Sequence, residues 1–348
     1  MCKKSILLAV AALAMAACSN DEIVDINQGR EISFRASSEK NTRATETTNA
    51  NLSGFYVTAL TDDGSVYFGN LLFEGSQNNS YVSDPLYYWP GEGGLTFHAY
   101  APEATTMGGT LTLTSTEQTL QGFSPKNNIS DQVDLIYANA TGNKTDNEAS
   151  GVQLSFNHML SQIELQASNS NEGYIYKVKG FRIGKPVSEG DLNFYTKEWI
   201  SGSEKAIYQV ELDSEITLTE TAQSIMAKVE GANDNAMLIP QQLVAWDPDT
   251  DGHNSAAGAY LSVFVDIDTK DGANVYPTED SQFAWAAVGI ATKWETGKKY
   301  VYKLDFSNGA GNVDPEDPDN PGEPILGEPI EFTVEVTAWD PTEQNVDM

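Results

Sequence analysis

The chain has 348 residues, with 50 acidic side chains against 20 basic ones, and a formal net charge of −30 at pH 7. A surface this acidic repels nucleic-acid phosphates and anionic lipid headgroups, so no nucleic-acid partner is expected. Both cysteines, Cys2 and Cys18, lie near the N-terminus. The rest of the chain therefore has no disulfide, no thiol nucleophile and no cysteine-based metal site.

Residues 1–17 predict a lipoprotein signal peptide. A short basic start, MCKK, precedes the apolar run SILLAVAALAMAA, which is too short to span a membrane. The run ends in AAC, which resembles the lipobox of bacterial lipoproteins, with Met15 where that box usually has leucine. We expect acylation of Cys18, which would become the first mature residue. The alternative is an ordinary signal peptide that is cleaved near a cysteine.

Residues 18–30 are predicted to be a polar tether. The letters SNDE directly after Cys18 resemble the acidic signal that routes lipoproteins of the Bacteroidetes to the cell surface. Together with the lipobox, this signal predicts a surface-exposed lipoprotein of the outer membrane. The lipid at Cys18 would then be the contact with the membrane.

Short runs of alternating apolar and polar residues recur from residue 31 onward. Turn residues such as Asp63-Gly64 and Gly93-Gly94 separate them. A period of two is typical of half-buried strands, so the chain is predicted to be all-β and built from β-sandwiches. The polar stretch SNSNEG, from residue 168 to 173, suggests a boundary. We expect one sandwich over residues 31–168 and a second over residues 174–311.

The two ends of this region carry similar alternating runs. EISFRAS, residues 31–37, places Ile32, Phe34 and Ala36 on one face. Near the C-terminus, residues 312–326 are rich in Pro, Asp, Glu and Gly and predict an acidic linker. A separate strand is then expected within residues 327–348. Its apolar face is formed by Ile330, Phe332, Val334, Val336 and Ala338.

No motif of an enzyme or of a cofactor site is present. The three histidines, His98, His158 and His253, stand alone, and no nucleophile elbow, phosphate-binding loop or zinc motif occurs. DPDTDG, residues 247–252, resembles a calcium loop, but Gly258 occupies the position that needs a bidentate glutamate, which favours a solvated turn. The six tryptophans could line a sugar-binding surface or belong to the core. We expect no catalysis, no cofactor and no metal site.

The order of several phrases along nearly the whole chain resembles the fimbrillin family of Bacteroidales, the lipoprotein subunits of type V pili. The phrases include ISFRASSEKNTRATET, YYWPGEGGLTFHAYAP, VQLSFNHMLSQIELQA, TKWETGKKYVYKLDF and IEFTVEVTAW. The resemblance implies two transthyretin-like β-sandwiches in tandem and delivery to the outer membrane. It also implies that cleavage after an arginine releases the first strand. The C-terminal segment of a neighbouring subunit then fills the vacated groove.

Carried onto this sequence, the resemblance makes Arg43 the expected cleavage site, because it follows the first strand in a Thr- and Asn-rich run. Arg35 is the weaker candidate, since it lies inside the strand. The displaced strand would present Ile32, Phe34 and Ala36. The donor strand would present the five apolar residues from Ile330 to Ala338. Its two additional valines would favour the donor by about 3–6 kcal/mol, at roughly 1.5–3 kcal/mol per buried side chain.

Three functions remain open from the sequence. The first is a structural pilus subunit whose partners are other fimbrial subunits, identical or paralogous, and which supports adhesion to a host or bacterial surface receptor. The second is an anchor subunit that keeps its lipid and resists cleavage. The third is a non-polymerising surface lipoprotein that binds glycan or host protein. IEFTVEVTAW could also be the last strand of the second sandwich, paired within its own chain.

Overall fold

The computed structural model describes residues 29–37, 52–76, 80–226, 235–250, 258–278 and 283–339. Within these ranges the chain forms twenty-four strands and only very short helices, which confirms the all-β prediction. The helices are α1 (Ala104–Met107), a 3-10 turn (Ile129–Asp131) and α2 (Lys144–Asn147). None of the helices in the described part is long and apolar enough to cross a membrane.

The strands of the first half are β1 (Phe34–Ser37), β2 (Gly54–Thr61), β3 (Val66–Ser76), β4 (Ser80–Ser83), β5 (Gly94–Ala101), β6 (Thr110–Leu113), β7 (Gln118–Phe123), β8 (Ile136–Asn143), β9 (Val152–Ser155) and β10 (Asn157–His158). Those of the second half are β11 (Ser161–Ser168), β12 (Tyr174–Val187), β13 (Gly190–Asn193), β14 (Glu198–Ser201), β15 (Lys205–Thr217), β16 (Gln223–Ser224), β17 (Ala236–Leu238), β18 (Tyr260–Thr269), β19 (Asn274–Tyr276), β20 (Ala284–Gly289), β21 (Lys298–Asp305), β22 (Gly309–Val313), β23 (Pro324–Gly327) and β24 (Glu331–Ala338).

Eight of the ten strands of the first half form one curled sheet, in the order β10-β8-β5-β2-β3-β4-β1-β9. β9 and β10 are separated only by Phe156, yet they lie at opposite ends of this order, so the sheet must curl round on itself. Its inner face encloses a core that β1 helps to fill. The core includes Ile32, Phe34, Ala36, Phe55, Val57, Phe73, Trp89, Phe97, Ile136, Val152 and Leu154.

The second half places a seven-stranded sheet, β15-β12-β18-β20-β22-β23 with β19 on β18, across a core from a five-stranded sheet. The five-stranded sheet has the order β16-β11-β21-β24, with β17 also paired to β11. Alternate residues of each strand point into the shared core, as a period of two requires. The core includes Ile163, Leu165, Val178, Phe181, Tyr208, Val263, Val265, Trp294, Tyr300 and Tyr302.

The boundary between the halves lies before β11 and not at residues 168–173 as expected. β11 runs parallel to β21, with Gln162–Ser168 opposite Lys299–Asp305, so it belongs to the second half. The sequence suggested the later position because the run from β9 to β11 contains no glycine or proline. Without either of these two strong breakers of regular structure, the run predicts one continuous strand region.

The halves share a third hydrophobic cluster, which includes Tyr100, Tyr137, Phe194 and Trp339, and a small sheet. That sheet, β14-β13-β7-β6, takes two strands from each half. The rings of Tyr137 and Phe194 stack at 4.5 Å between centroids, and Trp199 donates a hydrogen bond from Nε1 to the carbonyl of Met159 at 2.7 Å. The expectation of two separate sandwiches in tandem therefore misses this shared region.

Residues 312–326 also differ from the predicted linker. The two ends of this stretch belong to β22 and β23, which pair with each other in the seven-stranded sheet. The acidic side chains accept hydrogen bonds from backbone N–H groups: Glu316 N–H donates to Asp314 at 2.8 Å, and Asn320 N–H donates to Asp317 at 2.8 Å. Aspartate often orders turns in this way, which composition alone does not reveal.

This stretch is also tied to β12 by charge. Asp314 is fully buried, and its carboxylate lies 3.1 Å from the guanidinium of Arg182, which in turn lies 3.9 Å above the ring of Trp285. Lys185 pairs with Glu316 at 3.0 Å. The segment before β24 is therefore part of the folded second half.

Candidate functional site

β1 lies inside the first sheet, between β4 and β9. It runs parallel to β9, with Phe34–Ser37 opposite Val152–Ser155, and antiparallel to β4 at Tyr81. Just before it, Ile32 N–H donates to Tyr87 at 2.7 Å. We call the space that residues 31–37 occupy between β4 and β9 the β1 groove.

The β1 groove is apolar and aromatic at its centre. Ile32, Phe34 and Ala36 are all 0% exposed, as their alternation predicted. The ring of Phe34 meets three other rings edge-on, those of Phe55 at 5.9 Å, Phe73 at 4.8 Å and Phe97 at 5.0 Å. Removal of β1 would expose these rings and two rows of unpaired backbone groups, a surface that another strand can fill.

The two candidate arginines differ in where they lie. Arg35 is held within β1, where its backbone pairs with Gln153 and its Nε donates to the carbonyl of Ser150 at 3.2 Å. A paired strand is a poor protease substrate, because a scissile bond must be unpaired and accessible. Arg43 and Cys18 both lie outside the described residues.

The C-terminal run forms β24, which pairs antiparallel with β21 of the same chain from Lys298↔Ala338 to Asp305↔Glu331. Of the two arrangements that the sequence left open, the monomer has the intrachain one. β24 is the last strand of the five-stranded sheet, so its other edge pairs with no strand of the described part. It is an edge strand, which can be removed without dividing the sheet.

The inner face of β24 is only partly buried. Phe332, Val334 and Val336 lie opposite the inward residues of β21, and the first two pack against the second core. Ile330, just before the strand, is 3% exposed, but Val336 is 50% exposed and Ala338 is exposed. A cleft of about 590 Å³ also borders Ile330 and Phe332 at the start of the strand.

Trp339 follows β24 and joins it to the first half. Its ring is 5% exposed and stacks on His158 at 4.5 Å between centroids, 8° from parallel. Its backbone N–H donates to Gly297 at 2.9 Å, and His158 Nδ1 lies 2.9 Å from the buried carboxylate of Asp134. The sequence placed Trp339 only at the end of a strand and gave no sign of this contact.

The remaining candidate residues form no reactive group. His98 is 6% exposed and lies 2.7 Å from the hydroxyl of Tyr137, while burial lowers the pKa of its imidazole. His253 and most of the loop from residue 251 lie outside the described residues. No group of three metal-ligating side chains occurs among the residues that the structure describes.

The tryptophans do not form a surface for a sugar. All six lie in the described ranges, and none of them is exposed. Trp89, Trp246, Trp294 and Trp339 are buried, while Trp199 and Trp285 are half-buried. Of the two interpretations of these residues, the structure favours the core.

These features define a class of protein: an all-β chain with a buried strand at the start of its first half and an edge strand at the end of its second. The chain belongs to the fimbrillin-like family, whose sequence model matches residues 42–339. It is 26% identical over 362 residues to the fimbrium subunit Fim1C of Phocaeicola vulgatus, covering 90% of this chain and 95% of that protein.

Two solved structures are similar over most of the chain. The crystal structure of a proposed cell adhesion protein from Bacteroides uniformis has a TM-score of 0.50 and 13% identity, covering 90% of this chain and 99% of that one. A further proposed cell adhesion protein, from Bacteroides ovatus, has a TM-score of 0.49 and 18% identity, covering 89% of this chain and 98% of that one. The likeness to the first structure concerns the fold.

Proposed function

We propose that this protein is a structural subunit of a cell-surface fimbrium that supports adhesion. It is exported as an outer-membrane lipoprotein acylated at Cys18 and assembles with other fimbrial subunits by strand exchange. The family match and the similarity to a named fimbrium subunit support the fimbrial role. The positions of β1 and β24 support the mode of assembly.

Assembly begins with cleavage after Arg43. While β1 is covalently attached, its effective concentration in its own groove is about millimolar or higher, which excludes a competing strand. Cleavage removes that advantage, because residues 31–37 are then held by non-covalent contacts alone. Their departure leaves the edges of β4 and β9 unpaired and the three phenylalanine rings uncovered.

The observation that carries the proposal is the contrast in burial between the two strands. The inward residues of β1 are 0% exposed, whereas Phe332 and Val334 in β24 are only half-buried and Val336 is 50% exposed. Among the strands that the structure describes, β24 pairs on one side only, but in the groove it would pair with both β4 and β9. A strand with an incomplete apolar contact and an unused edge gains most by entering a groove that offers both.

Exchange also has a cost that the estimate of about 3–6 kcal/mol did not include. β24 must leave β21 and expose the surface covered by Ile330 and Trp339, which are 3% and 5% exposed. The second row of strand pairing in the groove offsets the pairing lost at β21. The groove is empty only after cleavage, so uncleaved chains remain monomers.

Limited digestion with an arginine-specific protease, followed by N-terminal sequencing and sizing, tests this proposal. We expect a new N-terminus at Ala44 and ladders that resist mild detergent. Arg43→Ala should stay uncleaved and monomeric, while Arg35→Lys, the matched control, should be cleaved like the unaltered chain. A chain that is cleaved after Arg43 and stays monomeric at high concentration would contradict strand exchange.

A further inference from the structure

We infer that β24 of a second copy enters the β1 groove in the same direction as β1 and in a single register. Phe332 takes the position of Phe34, with Ile330 at the position of Ile32 and Val334 at that of Ala36. The inference rests on the proposed function and specifies how the two copies fit together.

The two strands have matching side chains in this register. The inward residues of the β1 segment are Ile, Phe and Ala at alternate positions, and those that begin the terminal run are Ile, Phe and Val. The outward positions are polar in both, since Glu331 and Thr333 replace Ser33 and Arg35. Only Val334 at the position of Ala36 adds volume, by two methyl groups.

The aromatic centre of the groove selects this register over its neighbours. Phe34 fills the space between Phe55, Phe73 and Phe97, and Phe332 is the only aromatic residue on the inner face of β24. A shift of two residues would put Ile330 or Val334 between the three rings and leave a void. A shift of one residue would turn the polar face of β24 into the core.

The side-chain sizes and the backbone also select the direction. A reversed strand with Phe332 at the same place would put Ile330 at the small position of Ala36 and Val334 at the larger position of Ile32. A strand that runs as β1 does keeps the antiparallel pairing with β4 and the parallel pairing with β9. Because the two ladders have different hydrogen-bond geometries, the neighbouring strands already present their donors and acceptors for that direction.

This register makes Thr333 the partner of Gln153. In the monomer, Gln153 of β9 lies opposite Arg35, and its side chain is exposed. Glu331 and Glu335 would each lie two residues away along the strand. Directly paired residues are close enough for a disulfide, whereas diagonal neighbours lie at or beyond its reach.

Engineered disulfides test the register without competition from native cysteines. Both native cysteines precede Arg43, so the cleaved chain contains no other thiol. We would combine Gln153→Cys with Thr333→Cys, and, as matched controls, with Glu331→Cys or Glu335→Cys. Each double variant is first shown to form non-covalent ladders after cleavage, and is then oxidised mildly and run on a non-reducing denaturing gel.

We expect covalent ladders from the pair at 153 and 333 and their loss in the two control pairs. Ladders that crosslink mainly through residue 331 or 335 would overturn the register and leave the proposed function standing. If the double variants are cleaved but form no non-covalent ladder, and the cleaved chain without the engineered cysteines behaves alike, the proposed function is overturned and the register with it. Failure of the proposed function is therefore seen before oxidation, and failure of the register only after it.

Discussion

Phe34 is a fully buried ring in the aromatic core of the first half. It is 0% exposed and meets three phenylalanine rings within 5.9 Å. The alternation of residues 31–37 predicted correctly that it points inward. The rings around it come from β2, β3 and β5, none of which pairs with β1, and no local pattern specifies that Phe34 packs against them. The sequence therefore predicted the orientation of Phe34 but not the groove around it.

Phe34→Ala should lower the free energy of unfolding by about 3–5 kcal/mol, because it leaves a cavity in a packed aromatic cluster. Urea titration of the uncleaved protein measures the change. Tyr195→Ala is the matched control: Tyr195 is 78% exposed, so its truncation should change stability by no more than about 0.5 kcal/mol. Equal effects of the two substitutions would contradict the structure of this cluster.

The buried tyrosines of the second half predict a loss of stability at high pH. Burial raises the pKa of Tyr176 and Tyr302 to about 12, whereas tyrosine in an unfolded chain titrates near pH 10. The folded state therefore keeps the phenol proton more tightly. This contribution to stability is fully present below about pH 10 and is lost as the pH rises toward about 12.

Urea titrations at a series of alkaline pH values measure this dependence, and absorbance of the phenolate in the folded protein provides the control. We expect phenolate to appear from these two side chains only as the chain unfolds. Ionisation of all fifteen tyrosines near pH 10 in a protein that remains folded would contradict their burial.

At the level of elements, β24 and the segment before it show where sequence patterns are insufficient. Alternation identified the strand correctly, and Ile330, Phe332 and Val334 of the predicted face pack against the second core, whereas Val336 and Ala338 are exposed. It could not reveal the partner strand, because an alternating run fits any sheet edge with the matching face. The acidic segment was predicted to be an irregular linker, yet Asp314 is buried against Arg182 at 3.1 Å. A buried ion pair joins residues distant in sequence and leaves no local signal.

Trp339 should control how easily β24 leaves its own sheet. Trp339→Ala removes the stack on His158 and the contact with the first half, and should lower stability by about 3–5 kcal/mol. Hydrogen exchange of the β24 amides should become faster than in the unaltered protein, because the C-terminal end of the strand loses its anchor.

Trp339→Phe is the control, since it keeps a ring over His158 and should retain most of the protection of β24. After cleavage, the alanine variant should also form ladders sooner than the phenylalanine variant. Unchanged exchange in β24 of the alanine variant would show that Trp339 does not hold the strand.

At the scale of the whole molecule, the two proposed sites of exchange lie in different halves of one chain. The β1 groove belongs to the first sheet and β24 to the five-stranded sheet of the second half. A head-to-tail contact of this kind does not close on itself and can extend into a filament. The sequence predicted an all-β chain with an alternating strand at each end. It could not predict the shared cluster that joins the halves, because that cluster forms only when both are folded.

Mixing two defective chains tests the central claim most directly. Val334→Asp, cleaved after Arg43, keeps the groove but has a donor that would bury a carboxylate, whereas Arg43→Ala keeps the donor but never opens its groove. Thermal unfolding first establishes that both variants are folded. We predict that each alone stays monomeric and that the mixture forms a one-to-one dimer that grows no further. Longer ladders from the mixture, or no association of two folded variants under conditions in which the unaltered chain polymerises, would contradict assembly by exchange of β24 into the β1 groove.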